Sequence, residues 1–286
     1  MAILNNKIDF VVLASVTMAN ANGDPNNGNR PRTTRDFLGE MSDVCIKRKL
    51  RNRMQDLEHE IFVQSEEHPM YDGCKSLKER ADSNLKGIKD RSKYAETACE
   101  KWLDVRSFGQ VFAFEGDNGS GSGSSIAVRG PVSIHQALTA SQVEVIDMKI
   151  TKSVNNKTEA DGGKGRDTMG DKHMISYGLY IIKGSINVQL AEKTGFSEED
   201  AEVLKECLRT LFENDSSSAR PDGSMEILKV YWFKHNCKGG QYSSAKVHRS
   251  IEVKLRNEEY LPTSADDYEI IEHPLEGLEP EVIDGV

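Results

Sequence analysis

The residues best suited to chemistry are the glycines, asparagines and arginines that follow the first hydrophobic run of the chain. Residues 19–37 read ANANGDPNNGNRPRTTRDF, and a second basic stretch, KRKLRNR, begins at Lys47. Glycine lets backbone N–H groups approach a phosphate closely, and arginine binds phosphate through two parallel hydrogen bonds. This pattern favours a site that follows a sugar-phosphate backbone without reading bases. The residues that we expect to contact phosphate are Arg30, Arg32, Lys47, Arg48 and Arg51.

A solvated helix face beside an ordinary turn would have the same composition, so the residues alone leave both interpretations open. Motifs for common catalytic chemistry do not occur: the chain has no GxSxG, GxxxxGK[ST] or HExxH. His235, Cys237 and His248 come nearest to a metal pattern, yet structural zinc sites usually bring two close pairs of ligands. Calcium at Asp24 is disfavoured because the following glycine comes one position too early for an EF-hand loop. We therefore expect no bound metal and no cofactor.

Charge is unevenly distributed along the 286 residues, whose formal net charge is −9. Residues 257–286 contain ten acidic side chains and no lysine or arginine, and the remainder holds 36 acidic and 37 basic residues. A local basic patch therefore stays compatible with a polyanionic partner. The apolar runs are too short to cross a bilayer, and no secretion signal or disulfide pattern is evident. These features predict a cytoplasmic protein without membrane contact.

Hydrophobic periodicity predicts both strands and helices. Apolar residues at helical spacing predict helices that begin near Ser42 and at Ser197, the second with a variant of the capping box. Strands are predicted at residues 7–18, 126–138, 141–154, 174–193, 225–235 and 250–257. This order indicates an α+β fold around an antiparallel sheet, of the ferredoxin-like or RNA-recognition-motif βαββαβ type. Many unrelated functions use that fold, so it does not by itself assign one.

Two segments interrupt this order. Residues 63–101 are polar and helical in pattern, which predicts an insertion that packs lightly on the core. Residues 155–173 lie between two strands and contain almost no apolar side chains, which predicts a long hairpin with a mobile tip. That hairpin, with Arg166 and Met169, could wedge between bases, clamp a neighbouring subunit or be an ordinary surface loop. Strand aromatics such as Tyr177 could stack on bases but are usually core, so none is assigned.

Five stretches of the chain resemble the repeated backbone subunit of the CRISPR Cascade surveillance complex, in its type I-C form. They read NGDPNNGNRPR, SDVCIKRKLRN, DVRSFGQVFAF, VRGPVSIHQAL and RDTMGDKHMISYGLYI, and they follow the family's order over residues 7–188. The resemblance implies a hand-shaped, non-catalytic subunit that polymerises along CRISPR guide RNA. Its partners would be that RNA, target DNA through the guide, copies of itself and other Cascade subunits. Sequence recognition would then belong to base pairing with the guide.

The resemblance also implies a division of the chain. Residues 1–256 would form one interleaved domain with an RNA-recognition-motif palm, a helical fingers insertion and a β-hairpin thumb, followed by an acidic C-terminal tail at 257–286. The palm would comprise residues 1–60, 105–152 and 174–256, the fingers 61–104 and the thumb 153–173. Lys47, Arg48 and Arg51 would be the palm's phosphate contacts, with further RNA contacts at Arg30, Arg32, Arg129, Arg166 and Met169.

Two parts of the chain depart from that pattern: the Gly/Ser tract at 116–125 and the acidic end have no counterpart in the family. Related subunits of type III complexes cut RNA with a loop aspartate, and Asp24 and Asp36 lie near the equivalent region. A metal-dependent RNA endonuclease of the same fold therefore remains an alternative hypothesis. A scaffold that binds only protein through the hairpin and the acidic end is another.

Overall fold

A computed structural model describes residues 2–66, 68, 72–114, 124–151 and 169–286. The strands are β1 Ile8–Ala19, β2 Gly23–Asp24, β3 Arg30–Pro31, β4 Leu38–Met41, β5 Gly109–Phe114, β6 Ser124–Arg129, β7 Val132–Ile134, β8 Ala137–Gln142, β9 Val145–Thr151, β10 Met169–Ile186, β11 Met225–Lys234, β12 Ile251–Leu255, β13 Tyr268–Glu272 and β14 Glu281–Asp284. The helices are α1 Asp43–Asp56, α2 Leu77–Leu85, α3 Arg91–Lys101, α4 Leu103–Phe108, α5 Val188–Thr194, α6 Glu198–Arg209 and α7 Ser244–His248.

The central sheet is antiparallel and has the strand order β14-β11-β1-β10-β8-β4, with β7 and β9 also paired to β10. Helix α1 lies in the chain between β1 and β8, and α6 lies between β10 and β11. The four inner strands and these two helices therefore follow one another as βαββαβ. A mixed fold around a central antiparallel sheet confirms the α+β prediction.

Strand β1 forms the middle of the sheet because it is apolar on both faces. It pairs with β10 from Ile8 opposite Ile186 to Ala19 opposite Ile175, and its other edge pairs with β11. A strand covered on both faces reads as a continuous hydrophobic run rather than an alternating one. This is why β1 was readily predicted from the sequence.

The helices α1 and α6 cover one face of the sheet. Ile46, Leu50 and Met54 of α1 pack with β1 residues and with the buried stripe of α6. Helix α6 begins with a complete capping box, in which Ser197 and Asp200 each bond to the other's backbone N–H. Both predicted helices are confirmed.

The opposite face of the sheet is closed by residues that follow β11. Helix α7, the β12–β13 pair and Leu278 pack on it, burying aromatic side chains such as Tyr177, Tyr231 and Phe233. These aromatics are core, and the sheet has no open aromatic surface there. The predicted acidic tail is wrong as a separate unit, because β13 pairs with β12 and β14 extends the central sheet beside β11.

The inserted segment has its own core. Helices α2 and α3 pack with the β5–β6 hairpin around Phe62, Tyr94 and Trp102. Val105 and Phe112 belong to the same cluster. The predicted boundary between residues 104 and 105 therefore divides a packed unit and is wrong, because α4 and β5 complete the core of the insertion.

Strand β9 pairs with the first half of β10, from Val145 opposite Ile175 to Thr151 opposite Met169. The second strand of this hairpin thus begins five residues before the predicted 174, since residues 169–173 continue the ladder. Residues 155–168 of the predicted hairpin loop and residues 116–123 of the Gly/Ser tract lie outside the described residues, whereas Ser124 begins β6. No helix in the described part of the chain is both long and apolar enough to cross a membrane.

Candidate functional site

A groove of about 490 Å³ lies between the Gly/Asn-rich loop, helix α1 and the turn after α6. We call it the α1 groove. Its lining includes Arg32 from the loop, Arg48 and Lys49 from α1, and Arg220 from the turn. His68, the Cys45 thiol and the acidic Asp215 complete the charged and titratable side chains of its described lining. Cations therefore outnumber carboxylates in the groove.

The loop that forms one wall of the α1 groove is held by local hydrogen bonds. The Asp24 carboxylate accepts from the backbone N–H of Asn26 (3.1 Å) and lies 3.4 Å from Nη2 of Arg32. The backbone then turns back through left-handed conformations at Gly28 (φ 60°) and Asn29 (φ 59°). Glycine and asparagine are the residues that adopt this conformation at low cost. The loop composition is therefore explained by the turn itself.

Arg51, which was predicted to contact phosphate, is paired with a buried carboxylate. Its Nε donates to the buried Asp104 carboxylate (2.8 Å), and its guanidinium lies over the Phe108 ring. Asp104 also accepts from the backbone N–H groups of Phe62 (2.6 Å) and Val63 (3.0 Å). Arg51 thus neutralises a buried carboxylate that holds the insertion onto α1, and it does not line the groove.

Arg48 differs from the other cations of α1 because no carboxylate of the described residues forms an ion pair with it. Its Nη1 donates to the carbonyl oxygen of Val63 (2.7 Å), whereas Nε and Nη2 are buried without a hydrogen-bond partner among the described residues. Burial, followed by the nearby Arg51 charge, lowers the pKa of Arg48 to about 10, and the Asp104 charge opposes only part of this shift. A cation in such surroundings is stabilised by an arriving anion.

Lys49 and Arg220 share one carboxylate in the α1 groove. Lys49 forms an ion pair with Asp215, and Nε of Arg220 lies 3.0 Å from the same oxygen. Neither cation was predicted as a site residue. Arg220 follows α6 and is distant from α1 in sequence, so no local pattern could have placed it here.

The other predicted RNA contacts that the structure describes do not line the groove. Lys47 pairs with Asp43 one turn earlier on α1 (3.0 Å), and Arg129 is exposed at the end of β6. Arg30 pairs with Asp147 on the β9–β10 hairpin. Met169 begins β10 with 72% of its surface exposed, and Arg166 lies outside the described residues.

The residues considered for metal binding are not brought together. His235 donates from Nε2 to Asp9 (2.9 Å) and accepts at Nδ1 from the backbone of Gln241, whereas His248 contacts the carbonyl oxygen of Gly184. Across the described ranges, no three His, Cys, Asp or Glu side chains are grouped closely enough to hold a metal ion. Asp24 is occupied by its loop contacts.

Comparison with known proteins identifies the family of the chain. A family model described as CRISPR-associated protein Cas7 matches residues 6–272, so the chain belongs to the Cas7 family. A CRISPR-associated protein Cas7 of Haloferax volcanii is 26% identical over 237 residues, which cover 79% of this chain and 69% of that protein.

Two solved structures are also similar to this chain. One is described as a CRISPR RNA-guided surveillance complex, pre-nicking, with 14% identity, a TM-score of 0.45 and coverage of 79% of this chain and 78% of that one. The other is described as a CRISPR RNA-guided surveillance complex, with 17% identity, a TM-score of 0.42 and coverage of 79% and 68%.

Proposed function

We propose that this chain is a guide-RNA-binding backbone subunit of a CRISPR surveillance complex and that the RNA backbone follows the α1 groove. Family membership supports the class of function, and the groove supports the place. The observation that carries the assignment is Arg48, a largely buried guanidinium whose Nε and Nη2 have no partner among the described residues. A phosphate would supply the acceptor oxygens and the negative charge that this side chain lacks.

The finer expectations belong to the same proposal. The subunit is of type I-C, polymerises along CRISPR RNA and acts in the cytoplasm without cutting nucleic acid. The sheet with α1 and α6 acts as the palm, the inserted unit as the fingers and the β9–β10 hairpin as the thumb. Contact through phosphates leaves target recognition to base pairing between guide and DNA.

Arg48→Gln tests the proposal through the affinity for single-stranded RNA, measured by fluorescence anisotropy at several salt concentrations. We expect affinity to fall about tenfold for every sequence tested, because a phosphate contact carries no base information. The slope of log affinity against log salt should decrease by about 0.7, the value for one phosphate contact to a single strand.

Arg209→Gln is the matched control, because Arg209 lies on α6 outside the groove and is paired with Glu206 (2.8 Å). This variant should bind RNA like the wild type. Thermal unfolding of both variants identifies any structural effect of losing the Arg48 contact to Val63. Equal affinity and equal salt slope in Arg48→Gln and the wild type would reject the α1 groove as the RNA site.

A further inference from the structure

A second group of charged side chains lies where the Gly/Asn-rich loop meets the β9–β10 hairpin. Nη1 of Arg30 donates to both oxygens of Asp147, at 2.6 and 2.7 Å, and Nδ1 of His173 donates to Oδ1 at 2.6 Å. His173 and Asp147 are directly opposite each other in the β9–β10 ladder. We call these three residues the Asp147 cluster; it joins two elements through one carboxylate.

The Asp147 cluster is at the surface rather than in the core. Fractional exposure is 54% for the side chain of Asp147 and 34% for that of Arg30. Hydrogen bonds from Arg30 and then His173 hold the pKa of Asp147 below its ordinary value, so the carboxylate is ionised at neutral pH. Ion pairs this exposed contribute little to stability, so folding alone gives weak reason for such an arrangement.

The position of the cluster extends the basic surface of the α1 groove. Arg32 lines the groove two residues after Arg30, and β3 lies against β10. The next row of the hairpin ladder on the same face as Asp147 pairs Lys149 with Asp171. A nucleic-acid strand that leaves the groove along the loop would therefore next meet Arg30 and His173.

The carboxylate of Asp147 makes the contacts that a phosphate would make at this place. Carboxylate and phosphate oxygens both accept charge-assisted hydrogen bonds from a guanidinium, and both accept from an imidazole N–H. Arg30 uses only one of its nitrogens on Asp147. An arriving phosphate therefore competes with Asp147 for the same donors.

We infer that Arg30 and His173 form a second phosphate-binding site at the base of the β9–β10 hairpin, which Asp147 occupies while no nucleic acid is bound. The inference rests on the proposed RNA-binding function and extends it beyond the α1 groove. When a phosphate replaces the carboxylate, it accepts from the same Arg30 and His173 donors and so bridges the loop and the hairpin in place of Asp147.

Asp147→Asn tests this inference, because asparagine keeps the shape of the side chain and removes its charge. With a labelled 30-nucleotide polyuridine RNA, we expect binding to become about three- to fivefold tighter, because the competing charge of a surface ion pair is gone. The salt slope should steepen by about 0.7, as expected for one added phosphate contact. In an Arg30→Gln background the same Asp147→Asn change should give no gain, because the unmasked cation is absent.

Asp171→Asn is the matched control for charge, since it removes one negative charge from the same face of the hairpin, on the neighbouring strand β10. It should increase RNA affinity less than Asp147→Asn does. An equal gain in both variants would show a general charge effect and overturn the inference, as would weaker binding by Asp147→Asn at an unchanged thermal midpoint. If the wild type binds RNA and Asp147→Asn binds it no more tightly, only this second site is rejected. Failure of the wild type to bind RNA would reject the proposed function and the site together.

Discussion

The two faces of the central sheet have different roles, although β1 contributes to both in strict alternation. One face, covered by α1 and α6, contains Phe10 and Val12. The other face, covered by α7 and the β12–β13 pair, contains Val11 and Leu13. The helical face leaves the basic α1 groove open beside it. The other face is closed over its aromatic side chains.

This difference indicates how a βαββαβ order could serve the proposed RNA binding without an open sheet. Such domains commonly stack bases on aromatics of the uncovered face. Here that face is occupied by the chain's own C-terminal residues, so Tyr177 and Tyr231 are unavailable for stacking. The proposed RNA binding therefore rests on cations at the edge of the helical layer, which would hold the backbone and leave the bases free.

A second groove of the molecule differs from the α1 groove in the sign of its charge. Two acidic residues of the C-terminal segment, Glu258 and Glu259, line a second groove of about 520 Å³, together with Asp36 and the apolar Leu261. The two grooves are similar in volume and opposite in charge. A net charge of −9 therefore does not describe the surface that a polyanion would meet.

The largest effect should come from reopening the closed face. In Tyr268→Ala we expect the free energy of unfolding to fall by about 3–4 kcal/mol, because a buried ring is replaced by a cavity. Tyr268 packs near Tyr177 (6.4 Å between ring centroids), and its hydroxyl contacts Oγ of Ser141 (2.7 Å). Urea unfolding provides the measurement.

Tyr260→Ala is the control, because Tyr260 lies in the same segment and is 71% exposed. It should change the free energy of unfolding by less than about 0.5 kcal/mol. Equal losses in the two variants would contradict a closed face.

A smaller loss of stability is expected on α1, where it should distinguish a cation paired with a buried carboxylate from one paired at the surface. Arg51→Met should lower the free energy of unfolding by about 2–3 kcal/mol, because it leaves the buried Asp104 carboxylate without its cation. The backbone donors of Phe62 and Val63 limit this cost. Lys47→Met, which removes a more exposed ion pair on the same helix, should cost about 0.5 kcal/mol or less. Denaturant unfolding that found both variants equally stable would show that Arg51 is not structural.

The smallest effect concerns pH and the closed face. Burial lowers the pKa of His248, whose ring contacts the carbonyl oxygen of Gly184 beneath α7. The unfolded chain then binds a proton near pH 6.5 that the folded chain does not, so stability falls as the pH decreases through that value. His248→Gln should flatten the stability curve between pH 7 and 5.5 by at most about 1.4 kcal/mol per pH unit, the slope of one proton.

His273→Gln is the control for this pH dependence, because His273 is exposed and paired with Glu252 (2.9 Å). In His273→Gln we expect the slope of stability against pH to stay close to that of the wild type. Urea unfolding at each pH measures both variants. An unchanged pH slope in His248→Gln would contradict the direction assigned to its pKa.

The sequence allowed the main elements of the fold to be predicted, since their signals are local. The apolar run of β1, the stripe of α1 and the capping box at Ser197 each depend on neighbouring residues. The boundary of the insertion and the place of residues 257–286 were mispredicted. Both depend on packing against residues that are distant in sequence. Phe112, for example, belongs to the core of the insertion although it lies beyond the predicted boundary.

The candidate site shows the same limit. The loop and the basic helix were identified from residue types, and Arg32 and Arg48 line one groove. Charge patterning could not distinguish Arg48 from Arg51, because the two are only three residues apart on the same helix. In the folded chain Arg51 contacts the Asp104 carboxylate, whereas Arg48 contacts the carbonyl oxygen of Val63.

By itself, the sequence determined that this protein is an α+β chain with a glycine-rich loop and a basic helix suited to phosphate. Those properties follow from backbone freedom, periodicity and charge, which act over a few residues. Only the tertiary structure decided that two donors of Arg48 have no partner among the described residues, that Arg220 joins the groove lining and that the aromatic face is closed. Each of these depends on side chains distant in sequence meeting in space, where burial makes an unpaired charge costly and a packed ring stable.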